Sequence, residues 1–242
     1  MEAVALGLNR VRAQLAQALA SAGRAPDSAR LVAVSKFQPA SAIRAAYAEG
    51  QRDFGENYVQ ELEQKAAELA DLSDLRWHLI GHLQRNKARA VVPLASLIHT
   101  VHSLELVREL DKRASGVSLA GARAFVPGEA RLPVLVEVNV GGEVQKGGCA
   151  PDALGPLLSA LDQATHLRSL GLMCVPPHTE DPSASLPYFE QLRHLRDAHG
   201  GAQRLPELSM GMTADLSYAV TAGATIVRVG TAIFGERPRA ER

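Results

Sequence analysis

Leu31-Val32-Ala33-Val34-Ser35-Lys36 is a short apolar run that ends in a hydroxyl and an amine. It is too short for a helix and rich in β-branched residues, and it lacks the alternation of a half-exposed strand. That is the pattern of a strand covered on both faces. Parallel sheets contain such strands, and each one needs a crossover, usually a helix, before the next. The flanks supply helices. Upstream, Val4, Leu8, Val11, Leu15 and Leu19 recur at steps of four and three, forming one apolar stripe. Downstream, Pro39 opens a helical pattern that runs to Glu49.

The alternation repeats along the chain. Segments 53–57, 77–81, 97–102, 132–140, 167–175, 207–211 and 225–230 read as further strands. Helical stripes lie between them: Val59, Leu62, Ala66 and Leu69; Leu104, Val107 and Leu110, with Ser103 as N-cap; Leu154, Leu157, Leu158 and Leu161 after Pro151; Leu186, Phe189, Leu192 and Leu195; Leu216 and Val220, with Thr213 as cap. Eight strand–helix units predict an α/β fold, a single (β/α)8 TIM-type barrel with an extra N-terminal helix. An open doubly wound sheet is the alternative, weakened because no GxGxxG follows the first strand. Residues 115–131 have scattered Gly and Pro and read as a surface insertion. No linker divides the chain, so 1–242 reads as one domain.

With 26 basic and 26 acidic residues the formal net charge is zero, which argues against non-specific nucleic-acid binding. Cys149 and Cys174 make no disulfide framework and have no metal-ligand spacing. No histidine pair has metal spacing either, although His82 is notable for following the third strand. No window approaches the roughly 18 apolar residues of a membrane span. Arg10 and Arg12 interrupt the N-terminal apolar pattern, unlike a signal peptide. A cytoplasmic protein without a membrane segment is the expectation.

In a parallel barrel, reacting groups gather at the C-terminal strand ends. Here those ends are polar and Gly-rich. If Val32 and Val34 point inward, Lys36 does too, by the strand period of two. A lysine at an apolar mouth loses hydration, which lowers its pKa toward the neutral amine that attacks aldehydes. The competing reading is a lysine snorkelling to water. Only five of the 26 basic residues are lysines; Lys65, Lys87 and Lys112 fall in helical patterns and read as solvated, whereas Lys36 and Lys146 fall at strand ends. The end of the seventh strand, Ser209-Met210-Gly211-Met212-Thr213, and Gly230-Thr231 after the eighth offer flexible backbone and hydroxyl donors for an anion. Asp215 is expected to face away from that anion. Arg228 points up the interior, either toward a ring nitrogen or into an ion pair with Glu137 or Glu56.

Six segments, VAVSKFQP (32–39), FGENYVQE (54–61), WHLIGHLQRNK (77–87), VNVGGEVQKGG (138–148), LSMGMTADL (208–216) and VRVGTAIFGER (227–237), together resemble the pyridoxal 5′-phosphate homeostasis proteins, in order and over nearly the whole chain. The resemblance implies a pyridoxal phosphate (PLP) barrel similar to the alanine racemase N-terminal domain, of PLP fold type III. It implies that Lys36 forms the internal aldimine and that Asn57 lies near the cofactor ring. It further implies that Ser209, Gly211, Gly230 and Thr231, with Met210, hold the phosphate, and that Arg228 faces the pyridine nitrogen. Lys146 matches a loop lysine near the site. Thr213 stands where many members carry serine.

Two functions compete. One is a PLP-binding protein of vitamin B6 and amino-acid homeostasis, without catalytic turnover, that passes PLP to apo-PLP enzymes. The other is an amino-acid racemase or a related PLP-dependent enzyme. Racemisation needs a base on each face of the carbanion. Tyr58 follows Asn57, but nothing sets it opposite Lys36. A chain of 242 residues has no room for the second domain of a racemase of this type. An arginine at the ring nitrogen also weakens the electron sink. The expectation is a homeostasis protein, monomeric, with weak racemase-type activity left open. A phosphate-binding aldolase-like barrel is a third, weaker reading.

Overall fold

The computed structural model describes residues 2–117, 124–143 and 145–236. Eight parallel strands close into a barrel in chain order. They are β1 (Arg30–Val34), β2 (Asp53–Glu56), β3 (Arg76–Leu79), β4 (Ala95–Val101), β5 (Leu132–Glu137), β6 (Leu167–Met173), β7 (Glu207–Ser209) and β8 (Ile226–Val229). Closure is made by β1 on β8, with Val32 beside Arg228 and Ala33 beside Val229. The helices are α1 (Glu2–Ser21), α2 (Ala40–Ala48), α3 (Val59–Glu68), α4 (Ala88–Val91), α5 (Leu104–Ala114), α6 (Leu154–Gln163), α7 (Leu186–Ala198), α8 (Gly201–Arg204), α9 (Leu216–Thr221) and α10 (Thr231–Phe234). None of them is long and apolar enough to cross a membrane.

The strand period of two sorts side chains into two shells. Val32, Leu97, Phe125, Leu135, Leu170, Met173 and Ile226 fill the barrel interior. Leu31, Ala33, Phe54, Trp77, Leu79, Val227 and Val229 face the helices and share one large core with them. The apolar stripe of α1 is buried as expected at Leu8, Val11, Leu15 and Leu19.

Several boundaries and roles differ from the sequence reading. The fifth strand stops at Glu137 rather than 140, because Val138 continues only as a single bridge to Cys149. Thr213 is exposed and does not cap α9. The helix starts at Leu216, and it is Asp215 whose carboxylate accepts the Met212 N–H at 2.6 Å, turned into the protein as its burial requires. Residues 118–123 of the supposed surface insertion lie outside the described residues. Its later part is not surface, however: Phe125 is buried in the barrel interior, with Arg30 4.5 Å over its ring and His78 edge-on at 5.6 Å.

Candidate functional site

The strand ends carry Lys36 just after β1, Asn57 after β2, Glu137 at the end of β5, Arg228 near the end of β8, and Gly230 and Thr231 directly after it. Lys36 lines a crevice of about 40 Å³ with Val34, Gln38, Gly230, Thr231 and Gly235. The crevice is tight because the backbones nearly touch. A Cβ on Gly230 would stand 2.9 Å from the Val34 carbonyl oxygen.

Both peptide groups of Lys36 are fixed from outside the barrel. The Ser35 carbonyl accepts from Lys65 Nζ at 2.8 Å, and the Phe37 N–H donates to Glu61 Oε2 at 2.8 Å. Lys65 also binds Glu56 Oε1 and Glu61 Oε2, each at 2.8 Å, and the Ser35 hydroxyl donates to Glu56 Oε1 at 2.7 Å. Alternation explains the cluster. Ser35 and Glu56 face outward, toward α3. Lys65 is therefore not solvated, as its helical position suggested, but buried. The signal was present: Lys65 sits three residues after Leu62 and beside Ala66, on the apolar stripe. Burial pushes the Glu56 carboxyl up, against the Lys65 ammonium that pulls it down. Phe37 completes the turn at φ 62°, the single left-handed residue other than glycine among the described residues, and a costly conformation that the clamp holds in place.

Arg228 lies inside the barrel and is buried. Its Nη1 donates to Ser209 Oγ at 2.6 Å and its Nη2 to the Cys174 carbonyl at 2.9 Å. Among the described residues no carboxylate is within ion-pair distance. Glu56 is on the other side of the sheet. Glu137 keeps its carboxylate against Gly147, and its Oε2 has no hydrogen-bond partner. The ion-pair reading of Arg228 is thus set aside. Burial pushes the Glu137 carboxyl up, opposed by nearby His102 and Arg228.

Other expected site residues fall as follows. Asn57 is half-buried, its Oδ1 is enclosed without a partner, and its backbone lies so close to Gly81 that a Cβ there would be 2.1 Å from the Asn57 oxygen. Gly211 holds φ 92° and its carbonyl accepts from the Arg228 N–H. Met210 is not brought to the mouth. Its side chain is buried in the outer core and its N–H donates to the Ile226 carbonyl. Lys146 bonds Glu143 at 2.5 Å and the Pro176 carbonyl at 2.8 Å, tying the loop after β5 to the loop after β6. His82 is exposed and stacks on His102 at 4.6 Å. Both cysteines are buried, and burial raises their thiols to about 11 (Cys149) and about 12 (Cys174).

The histidines that matter structurally are two that the sequence reading passed over. His78 and His99 lie on the inward phase of β3 and β4 and form a buried line of hydrogen bonds. Asp53 Oδ1 meets His78 Nε2 at 2.9 Å, His78 Nδ1 meets His99 Nε2 at 2.9 Å, and His99 Nδ1 meets Ser209 Oγ at 2.8 Å. Two hydrogen bonds of 2.7 Å from Arg76 anchor Asp53. Burial works to raise the Asp53 carboxyl, but Arg76 and His78 hold it well below the usual range. Burial pushes both imidazoles down.

A pH dependence follows. The folded state keeps these histidines neutral, so below about pH 6.5 the unfolded chain binds protons that the folded chain refuses. Their contribution to stability is complete above that pH and is lost as pH falls toward their depressed folded values. Glu56, Glu137 and Glu207, all raised by burial, act in the opposite sense. The histidine contribution is therefore read as a difference. Urea midpoints of wild type should fall more steeply from pH 7 to pH 5 than those of His99→Asn; parallel curves would show that His99 is not the source.

The alanine racemase N-terminal domain family matches residues 7–238. A pyridoxal phosphate homeostasis protein of Pseudomonas aeruginosa is 43% identical over 239 residues, covering 98% of this chain and 97% of the other. One from Aquifex aeolicus is 42% identical, covering 95% and 96%. The structure of PipY from Synechococcus elongatus with PLP bound superposes with a TM-score of 0.75 at 40% identity, over 91% of this chain and all of that one. Alanine racemase from Corynebacterium glutamicum, at 17% identity and a TM-score of 0.68, shares the fold over 63% of its own length. The chain belongs to the alanine racemase N-terminal domain family and, within it, to the pyridoxal phosphate homeostasis proteins.

Proposed function

We propose that this protein binds PLP in the barrel mouth through Lys36 and serves PLP homeostasis without turnover of its own. The observation that carries this reading is Arg228: a buried guanidinium that uses two donors, on Ser209 Oγ and the Cys174 carbonyl, and has no carboxylate beside it among the described residues. A buried cation of this kind requires an acceptor. A neutral pyridine nitrogen is one, since arginine only donates.

The other residues fit the same group. Asn57 Oδ1 is an enclosed polar atom awaiting a donor. Gly230 and Thr231 line the crevice after β8 and, with Gly211 after β7, are the residues this reading assigns to a phosphate. Lys36 stands in the crevice beside Gly230 and Thr231. When bound, PLP supplies an aldehyde that condenses with an amine and a ring that drains electrons when its nitrogen is protonated. Lys36 presents the amine. Arg228 would donate to the ring nitrogen, and an arginine there would disfavour its protonation and so blunt the electron sink that racemisation needs. Tyr58 is exposed, with its ring 5.3 Å from that of Phe37, and this reading assigns it no role as an opposing base. The protein acts as a cytoplasmic monomer whose PLP passes to apo-PLP enzymes.

Borohydride treatment of the PLP-loaded protein followed by peptide mass analysis should place the adduct on Lys36. An adduct confined to other lysines would overturn the assignment. Alanine should keep its optical rotation on long incubation; Lys36-dependent loss would make the protein a racemase. PLP release should accelerate on adding an apo-PLP enzyme; a rate equal to release into buffer would argue against direct hand-over.

A further inference from the structure

We infer that Asp53, His78, His99 and Ser209 form a one-way hydrogen-bond relay along the barrel axis that positions Arg228, and that Ser209 serves this arginine rather than a phosphate group. The inference deepens the PLP reading and rests on it for the ligand, while the relay itself is a property of the protein alone.

The direction of every bond follows from the two ends. Arg228 has only donors, so Ser209 Oγ accepts from it at 2.6 Å. The one proton of Ser209 is then left for His99 Nδ1 at 2.8 Å. A neutral His99 carries its proton on Nε2 and gives it to His78 Nδ1 at 2.9 Å. His78 in turn carries its proton on Nε2 and gives it to Asp53 at 2.9 Å. Asp53, paired twice with Arg76, can only accept. The opposite order would set a bare ring nitrogen of His78 against a carboxylate. The alternative is an extra proton on a fully buried ring already flanked by Arg30 and Arg76. Neither competes with an order in which every group is satisfied.

Two consequences concern the site. The Ser209 hydroxyl is fully enclosed and its proton is committed, so it has none to offer a phosphate. His78 and His99 become positioning residues: they hold Ser209, Ser209 holds Nη1 of Arg228, and the Cys174 carbonyl holds Nη2, so the guanidinium is fixed from two sides. The expected anion contacts are then left to Gly211, Gly230 and Thr231.

Nitrogen-15 NMR of the full-length protein at pH 7, with and without PLP, reads the relay directly. Both His78 and His99 should be neutral Nε2–H tautomers. An Nδ1–H tautomer or an imidazolium at either position would overturn the proposal, and this arm needs neither a variant nor PLP. The ligand arm compares PLP with pyridoxal, which lacks the phosphate. Ser209→Ala should weaken both by the same factor, on the order of tenfold. Weakening of PLP alone would make Ser209 a phosphate ligand, and unchanged binding of both would remove its role; either result overturns the proposal. His99→Asn, whose side-chain oxygen stands near the place of Nδ1, should bind better than His99→Leu; equal losses would count against the relay. If wild type binds neither compound, the PLP reading fails while the tautomers still judge the relay.

Discussion

Lys36→Ala is expected to abolish the visible absorbance of the PLP-loaded protein and to leave no borohydride-stable adduct. The reason is chemical rather than electrostatic, so Lys36→Arg should fail in the same way: a guanidinium stays protonated at any working pH and does not condense with an aldehyde. The fold should survive both changes, because Lys36 lies beyond the end of β1 and is not part of the apolar core. Matched far-ultraviolet circular dichroism with an unchanged urea midpoint would verify that. Retention of the visible band in Lys36→Arg would sink the assignment of Lys36 as the reacting amine.

The largest effect on stability is expected from Lys65→Met. That change leaves the Glu56 carboxylate, wholly enclosed and already missing a partner for Oε2, without its counter-charge. Removing one member of a buried ion pair costs roughly 3–5 kcal/mol. Glu56 would respond by taking up a proton, so the penalty should shrink at acid pH. The double change Glu56→Gln with Lys65→Met should recover much of the loss, because it removes the stranded charge. Urea unfolding of the single and double variants at pH 7.5 and pH 5.5 measures all three expectations. A loss below about 1 kcal/mol for Lys65→Met would mean that the pair behaves as a surface contact. The same variant releases the Ser35 carbonyl and weakens the hold on Glu61, so the turn carrying Lys36 and left-handed Phe37 should relax. Slower adduct formation with PLP, measured on the folded fraction, is the expected sign.

Much of the architecture was legible because two periods dominate it. Runs such as 31–34 and 132–136 are apolar on both faces, and the stripes of α1, α5 and α7 repeat at helical spacing. The candidate site was legible where it coincides with strand ends: the places of Lys36, Arg228 and Gly230 follow from their phase within a strand. What escaped was polar chemistry buried away from the ends. Lys65 and Glu56 meet between sheet and helix, and a charge on a helical stripe reads as solvated until its partner on another element is known. His78 and His99 are separated by 20 intervening residues and joined only by the pairing of β3 with β4. Their inward phase could have been read, because His99 follows inward Leu97 by two. Met210 was expected at the site from the resemblance, although the same alternation turns it outward.

The line from Asp53 to Arg228 bears on how natural variants of this protein are to be interpreted. In α/β barrels, damage at the closed end is ordinarily scored as a stability defect and damage at the open end as a functional one. Here a carboxylate at the start of β2 and a guanidinium near the end of β8 share one unbroken set of hydrogen bonds. If the relay positions Arg228, a missense change at Asp53 or Arg76, at the opposite end of the strands from Lys36, is expected to belong to both classes at once. A patient-style or evolutionary survey that sorts positions by distance from the cofactor would misfile it.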